Sequence, residues 1–174
     1  DMIEISDLGE KSFYDYVISK KSKLNDYKSV IKIIIKVQKI KVKKYYKLGK
    51  FKVKFSKYSL NYLHKESDLF FDWYLKYFLK KKKISKIKKL LKAELNKIYK
   101  KLKFSNNTFV HRDFHVSNIM VKKKKLGLID SQDAIIGNPL YDVASLIDDV
   151  RIKLPNNLQN NLIHFYHKNS KLKK

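Results

Sequence analysis

Apolar residues recur at three- and four-residue intervals over most of the chain, the pattern of amphipathic helices. Lys11–Ser19 places Phe13, Tyr16 and Val17 on one face and predicts a short helix. Leu24–Ile40 repeats the pattern with Leu24, Tyr27, Ile31, Ile34 and Ile35 against a basic opposite face. Its β-branched content favours a strand, but its length and spacing predict a helix. Leu60–Leu79 is the strongest helical pattern, with Leu63, Phe70, Trp73, Tyr74 and Tyr77 available to one apolar face. After a basic break at Lys80–Lys83, Ile84–Leu102 puts Ile87, Leu90, Leu91, Leu95, Ile98 and Leu102 at buried positions. Pro139 is suited to open a helix that Leu140–Val150 continues, and Leu158–Phe165 forms a last amphipathic stretch.

Strand patterns are fewer. Ile3–Gly9 begins with alternating apolar residues and ends at glycine, a short strand and turn. Lys41–Ser59 mixes apolar and basic residues and reads as a loop with a strand at Phe51–Phe55. Phe104–Thr108 is a turn, and Ser131–Asn138 is a short polar segment. Ile119–Val121 and Leu126–Ile129 flank a Lys122–Lys125 turn and predict two paired strands. The fold class expected is α+β, mostly helical, with one small hairpin.

The 174 residues suffice for one domain with a core. There is no uninterrupted apolar run of about 18 or more residues, so no membrane span is expected, and the first residues lack the regions of a signal peptide. A chain beginning with Asp suggests that the natural start lies upstream. Without cysteine there are no disulfides or thiolate metal sites. The formal charge of +25 invites a nucleic-acid reading. The cations are almost all lysine, however, with arginine only at 112 and 151, and they are spread along the whole chain. Base readout and bidentate phosphate contacts favour arginine, whereas an AT-rich coding sequence produces this lysine skew in any protein. A nucleic-acid partner is therefore not expected.

Candidate chemistry concentrates in Val110–Asp130, VHRDFHVSNIMVKKKKLGLID. His111, Asp113 and Asn118 have the H-x-D-x-x-x-x-N spacing of a phosphotransferase catalytic loop, and an apolar run then delivers Asp130. Asp113 can accept the proton of a substrate hydroxyl, while Asn118 and Asp130 supply the hard oxygen ligands that Mg²⁺ takes beside nucleotide phosphates. Each residue alone also suits an N-cap, a turn or a solvated carboxylate; the ordered set carries the signal. Asp142 near a helix start has a plain electrostatic reading. His164 and His167 share a helical face without further metal ligands nearby. The aromatic residues of Leu60–Leu79 could line a sugar pocket, although ordinary core packing is the reading their spacing favours.

His111–Asn118 with Leu128-Ile129-Asp130 resembles the aminoglycoside phosphotransferase/choline kinase superfamily. Asp130–Ala134, Gly137-Asn138-Pro139, Tyr141–Leu146 and Leu69–Leu75 resemble its bacterial branch that includes the anomeric kinases of N-acetylmuramate and N-acetylglucosamine. Ser131 departs from that branch, which usually has an aromatic residue there. The resemblance implies a protein-kinase-like C-terminal lobe over residues 10–174. Residues 1–9 would be the end of the small lobe, with Ser6, Asp7 and Leu8 as the nucleotide hinge. It further implies ATP and Mg²⁺, Asp113 as catalytic base, Asn118 and Asp130 as metal ligands, and His111, Arg112 and a buried Asp142 as loop support. Glu66, Asp72 and Trp73 would face a small-molecule hydroxyl acceptor, an amino sugar ahead of an aminoglycoside, in the cytoplasm. The four glycines, at 9, 49, 127 and 137, are isolated, and no glycine-rich loop or strand lysine precedes Ile3. The N-terminal lobe is thus expected from a longer chain, and this chain alone is expected to be inactive. The other classes weighed are a non-catalytic kinase-like binding module and a basic nucleic-acid-binding protein.

Overall fold

Helices alternate with short antiparallel strand pairs in the computed structural model, which describes residues 4, 6–43, 45–101 and 107–170. In chain order these are α1 (Phe13–Val17), α2 (Leu24–Val37), β1 (Tyr46–Leu48), β2 (Phe51–Val53) and α3 (Leu60–Leu69). A π-helical segment (Phe70–Tyr74) leads into α4 (Leu75–Phe78) and α5 (Lys81–Lys101). Then come β3 (Thr108–Val110), β4 (Ile119–Lys122), β5 (Lys125–Leu128), β6 (Ile135–Gly137), α6 (Tyr141–Ile147) and α7 (Asn156–Asn169). The described residues divide into two compact units, one up to Ser56 together with the chain from Asn107 onward, the other from Lys57 to Lys101. The mixture of helices and small antiparallel sheets agrees with the α+β class expected.

In the first unit α1 starts at a capping box. Ser12 Oγ accepts from the Asp15 N–H at 3.1 Å, and Asp15 Oδ2 accepts from the Ser12 N–H at 3.3 Å. Phe13 and Val17 are buried, as are Tyr27, Val30, Ile31, Ile34 and Ile35 of α2. Together with Phe114, Val116, Ile119, Leu146, Leu162 and Tyr166 they form one core, each such side chain contributing about 1.5–3 kcal/mol by burial. The helical spacing of α2 therefore prevailed over its β-branched composition, because tertiary burial of one face outweighs propensity. α2 packs against α6 and α7. The three are tied where Pro139 O accepts from Gln38 Nε2 at 2.6 Å and from the Tyr166 hydroxyl at 3.1 Å.

The strands are short. β4 and β5 pair from Ile119↔Leu128 to Lys122↔Lys125, so the hairpin expected there is present and its turn is the two residues Lys123-Lys124. Both take positive φ, 48° and 65°, the type I′ geometry that matches strand twist and that Asn-Gly adopts most readily. β1 and β2 form a second hairpin through Gly49 at φ +58°, where a loop with a single strand was expected. β3 pairs with β6, Thr108↔Gly137 to Val110↔Ile135. The Ser131–Asn138 segment, expected to be merely polar, thus contains a strand. Three residues carry too little periodicity to announce one. Ile136 N–H also donates to Ser56 O at 2.9 Å.

Ile3 and Ile5 lie outside the described residues, and Glu4 and Ser6–Gly9 are not in a strand. Asp7 Oδ1 takes the Gly9 N–H at 2.7 Å, and Gly9 turns with φ +83°, which removes a donor that a strand would offer its neighbour.

In the second unit the Leu60–Leu79 pattern is a helix interrupted by a π turn, where Phe70 O accepts from the Leu75 N–H. An i→i+5 bond puts an extra residue into the turn, so positions counted at 3.6 residues slip round the axis. Phe71 and Leu75 are buried, whereas Phe70, Trp73, Tyr74 and Tyr77 are exposed. The apolar face expected from spacing is therefore corrected. α5 presents Ile87 and Leu95 half-buried and Leu90, Leu91 and Ile98 exposed; Leu102 lies outside the described residues. Ion pairs of Asp68 with Lys92 at 2.6 Å and of Asp72 with Lys88 at 3.0 Å hold α5 to α3 and the π segment. No described helix is long and apolar enough to cross a membrane.

The hairpin turn yields a stability prediction. Lys123→Asn with Lys124→Gly removes two left-handed lysines, and the double variant is expected to gain about 1 kcal/mol. Thermal unfolding measures it; an unchanged or lower midpoint contradicts the turn geometry.

Candidate active site

β3 delivers buried Val110 to the sheet end, and the next two residues leave the ladder with their N–H groups unpaired by strand. Asp142, in the first turn of α6 and 1 % exposed, supplies the partners. Its Oδ2 accepts from the His111 N–H at 2.9 Å and its Oδ1 from the Arg112 N–H at 3.1 Å. Arg112 adopts φ 72°, a conformation costing about 1 kcal/mol or more that the two charge-assisted bonds offset. Burial pushes the Asp142 carboxyl above the usual carboxylate range, against the opposing pull of the two N–H groups and of His111.

The His111 ring is buried edge-on to Phe114, with centroids 5.7 Å apart. Its Nε2 lies 3.1 Å from Ile129 O. A carbonyl only accepts, so the proton sits on Nε2. Ile129 N–H in turn donates to Asn118 O at 3.1 Å. The end of β5 is thereby bonded to both ends of the loop, and Asp130, exposed and at φ 67°, follows directly.

Within the loop, Asn118 Nδ2 donates to Asp113 O at 3.0 Å and to Asp113 Oδ2 at 3.2 Å. Two acceptors on one side require the NH₂ of the amide there, which leaves Oδ1 of Asn118 on the other side of the amide as its acceptor. Val116, which opens a 3₁₀ turn, and Ile119, which follows it, are fully buried and hold Asn118 in place. Asn118 Oδ1 and the Asp130 carboxylate are hard oxygens of the kind Mg²⁺ takes in ones and twos when phosphates complete its shell. The donor set fits that ion. Among the described residues no group of three His, Cys, Asp or Glu could hold a metal by itself, and His164 and His167 on α7 are both exposed.

Two residues at the site were not anticipated. His115 Nε2 lies 3.3 Å from Asp113 Oδ1. Asp149, buried just beyond α6, accepts from the Val116 N–H at 3.0 Å and from Arg151 N and Nη1 at 3.0 and 3.2 Å. His115 could have been noticed as a second histidine two residues after the aspartate. Asp149 offers no signal, because its partner is a backbone N–H.

The remaining expected residues lie elsewhere. Asp7 and Leu8 line a cavity of about 300 Å³ with Lys122, Lys125, Leu126 and Gly127, and Ser6 does not. Asp7 pairs with Lys122 at 2.6 Å, and Leu8 packs so closely on Gly127 that a Cβ there would come within 2.7 Å of it. Glu66, Asp72 and Trp73 are in the second unit. Glu66 accepts from the Tyr58 hydroxyl, Asp72 pairs with Lys88, and Trp73 is 67 % exposed.

Residues 42–172 match the model of the phosphotransferase enzyme family. An N-acetylmuramate/N-acetylglucosamine kinase of Neisseria meningitidis serogroup B is 32% identical over 89 residues, covering 51% of this chain and 27% of the relative. A kinase of the same description from Pseudomonas aeruginosa is 31% identical over 93 residues, covering 53% and 28%. The similarity thus spans little more than a quarter of the length of these curated relatives.

Removing the brace should be costly. Asp142→Ala strands one buried and one partly buried N–H group and is expected to lose about 2–6 kcal/mol of stability, at roughly 1–3 kcal/mol for each. The pH dependence has a definite sign. With the folded carboxyl raised, the contribution of this proton is complete below the unfolded pKa of 3.8 and is lost as pH rises through the folded value. Asp142→Asn should flatten that decline when unfolding free energies of variant and parent are compared across the acid range. An unchanged slope would refute it.

Proposed function

Because the chain belongs to the phosphotransferase enzyme family, we propose that it carries the catalytic loop of an ATP-dependent kinase acting on a hydroxyl of an amino sugar. The observation that carries this reading is the closed Asp113–Asn118 pair on a loop braced by Asp142. Asp113 is half-exposed, so its carboxylate is open to an incoming acceptor. It orients the hydroxyl and takes its proton as the oxygen attacks. Asn118 and Asp130 would hold Mg²⁺, which would supply neutralisation of the charge on the transferring phosphoryl group. Transfer of this kind asks the protein mainly for position and electrostatics, and the backbone bonds of His111, Arg112 and Ile129 supply the fixed frame.

The amino sugar is the acceptor class named for the two relatives, and charge agrees with it. A formal +25 disfavours a polycationic acceptor such as an aminoglycoside and admits a neutral or anionic sugar. Trp73, exposed, would stack on a sugar ring, with Glu66 and Asp72 near it in the same segment. Asp7 and Leu8 with Ser6 would serve the nucleotide as hinge. Residues 10–174 are read as the large lobe, and the phosphate-covering loop and its lysine as parts of a longer chain. Cytoplasmic ATP chemistry follows from the same reading.

The test uses the full-length protein containing this chain. Asp113→Asn should lower kcat by about 10²–10⁴-fold with little change in the KM for ATP. Asp130→Ala should raise the KM for ATP as well as lower kcat, since a metal ligand acts before and during transfer. N-acetylglucosamine or N-acetylmuramate should turn over ahead of a kanamycin-like acceptor. Undiminished turnover by Asp113→Asn removes the base assignment, and the reverse acceptor order removes the amino sugar.

A further inference from the structure

We infer that His115 is a positioning residue for Asp113, donating from Nε2 to Oδ1 so that the carboxylate plane is fixed toward the acceptor. The inference rests on the reading of Asp113 as the catalytic base. A carboxylate held at one oxygen can still turn about its Cβ–Cγ bond. Asp113 has a donor beside each: Asn118 Nδ2 is hydrogen-bonded to Oδ2 at 3.2 Å, and His115 Nε2 lies 3.3 Å from Oδ1. Each oxygen offers two lone pairs, so one on each remains for a substrate hydroxyl, and Asp113 is 49 % exposed where that hydroxyl would arrive.

The histidine is itself well seated. Its side chain is 14 % exposed, and its carbonyl accepts from the Asn118 N–H at 3.0 Å. The following residue, Val116, is buried with its N–H on Asp149. The tautomer is set by the same surroundings. Nδ1 is buried without a hydrogen-bond partner, where a lone pair costs less than an unmatched N–H, and Nε2 faces an anion that can only accept. His115 therefore carries its proton on Nε2.

Phenylalanine keeps the ring volume and loses the donor, while glutamine places an amide N–H close to the position of Nε2. In the full-length protein His115→Phe is expected to lower kcat about 10–100-fold with the KM for ATP unchanged, and His115→Gln to recover most of it. Nitrogen-15 NMR of the substrate-free protein should show the His115 ring protonated at Nε2, with that resonance displaced in Asp113→Asn. A kcat in His115→Phe equal to the parent's, or a His115→Gln as slow as His115→Phe, overturns the inference. So does a ring protonated at Nδ1, or a resonance indifferent to Asp113→Asn, whether or not turnover is seen. A parent protein inert toward every hydroxyl acceptor counts instead against the phosphotransferase reading, and the NMR result then decides the pairing alone.

Discussion

The buried carboxylate of Asp142 is the contact on which the site depends. A loop that has left its sheet must find partners for backbone donors no longer served by a ladder. Here the His111 and Arg112 N–H groups converge on one anion from the next helix. The same stretch of chain supplies a second anion, Asp149, for the Val116 N–H. With those two anchors the backbone can hold a left-handed Arg112 and, from Val116 onward, a tight 3₁₀ turn. An isolated buried carboxylate would be costly; paired with donors that themselves need an acceptor, it resolves two problems at once. Asp113, between the anchors, is the member left open to solvent.

Much of the candidate site was legible because its residues are local in sequence. An aspartate and an asparagine five residues apart on one loop keep that spacing whatever surrounds them, and the side chains of Asp113 and Asn118 do meet. Asp142 was legible only through resemblance. From composition alone, an aspartate at a helix start is an ordinary electrostatic choice. Asp149 was not legible at all. A carboxylate bonded to a backbone N–H leaves no pattern in residue types, since every non-proline residue offers the same donor.

The fold shows the same division. Burial of one face made α2 a helix, and two apolar runs around four lysines made a hairpin. What escaped was structure without period. β6 is three residues long, and its pairing with β3 is a matter of distant register. The π turn at Phe70–Tyr74 defeats a count of 3.6 residues by inserting one more, and so the aromatic face came out rotated. The segment before α1 carried alternating residues, yet an Asp7 side chain and a left-handed Gly9 decided its path.

β6 also has a topological consequence. On the side where the chain departs for the second unit, Ser56 O receives the Ile136 N–H; where it returns, Thr108–Val110 pairs with the same strand. The excursion from Lys57 onward therefore begins and ends beside one three-residue strand. Its length and content can change without pulling on either anchor, because loop closure depends only weakly on what lies between fixed ends. That intervening stretch can thus be lengthened, shortened or replaced while the loop and the aspartates that anchor it, on the contiguous chain that follows, keep their bonds.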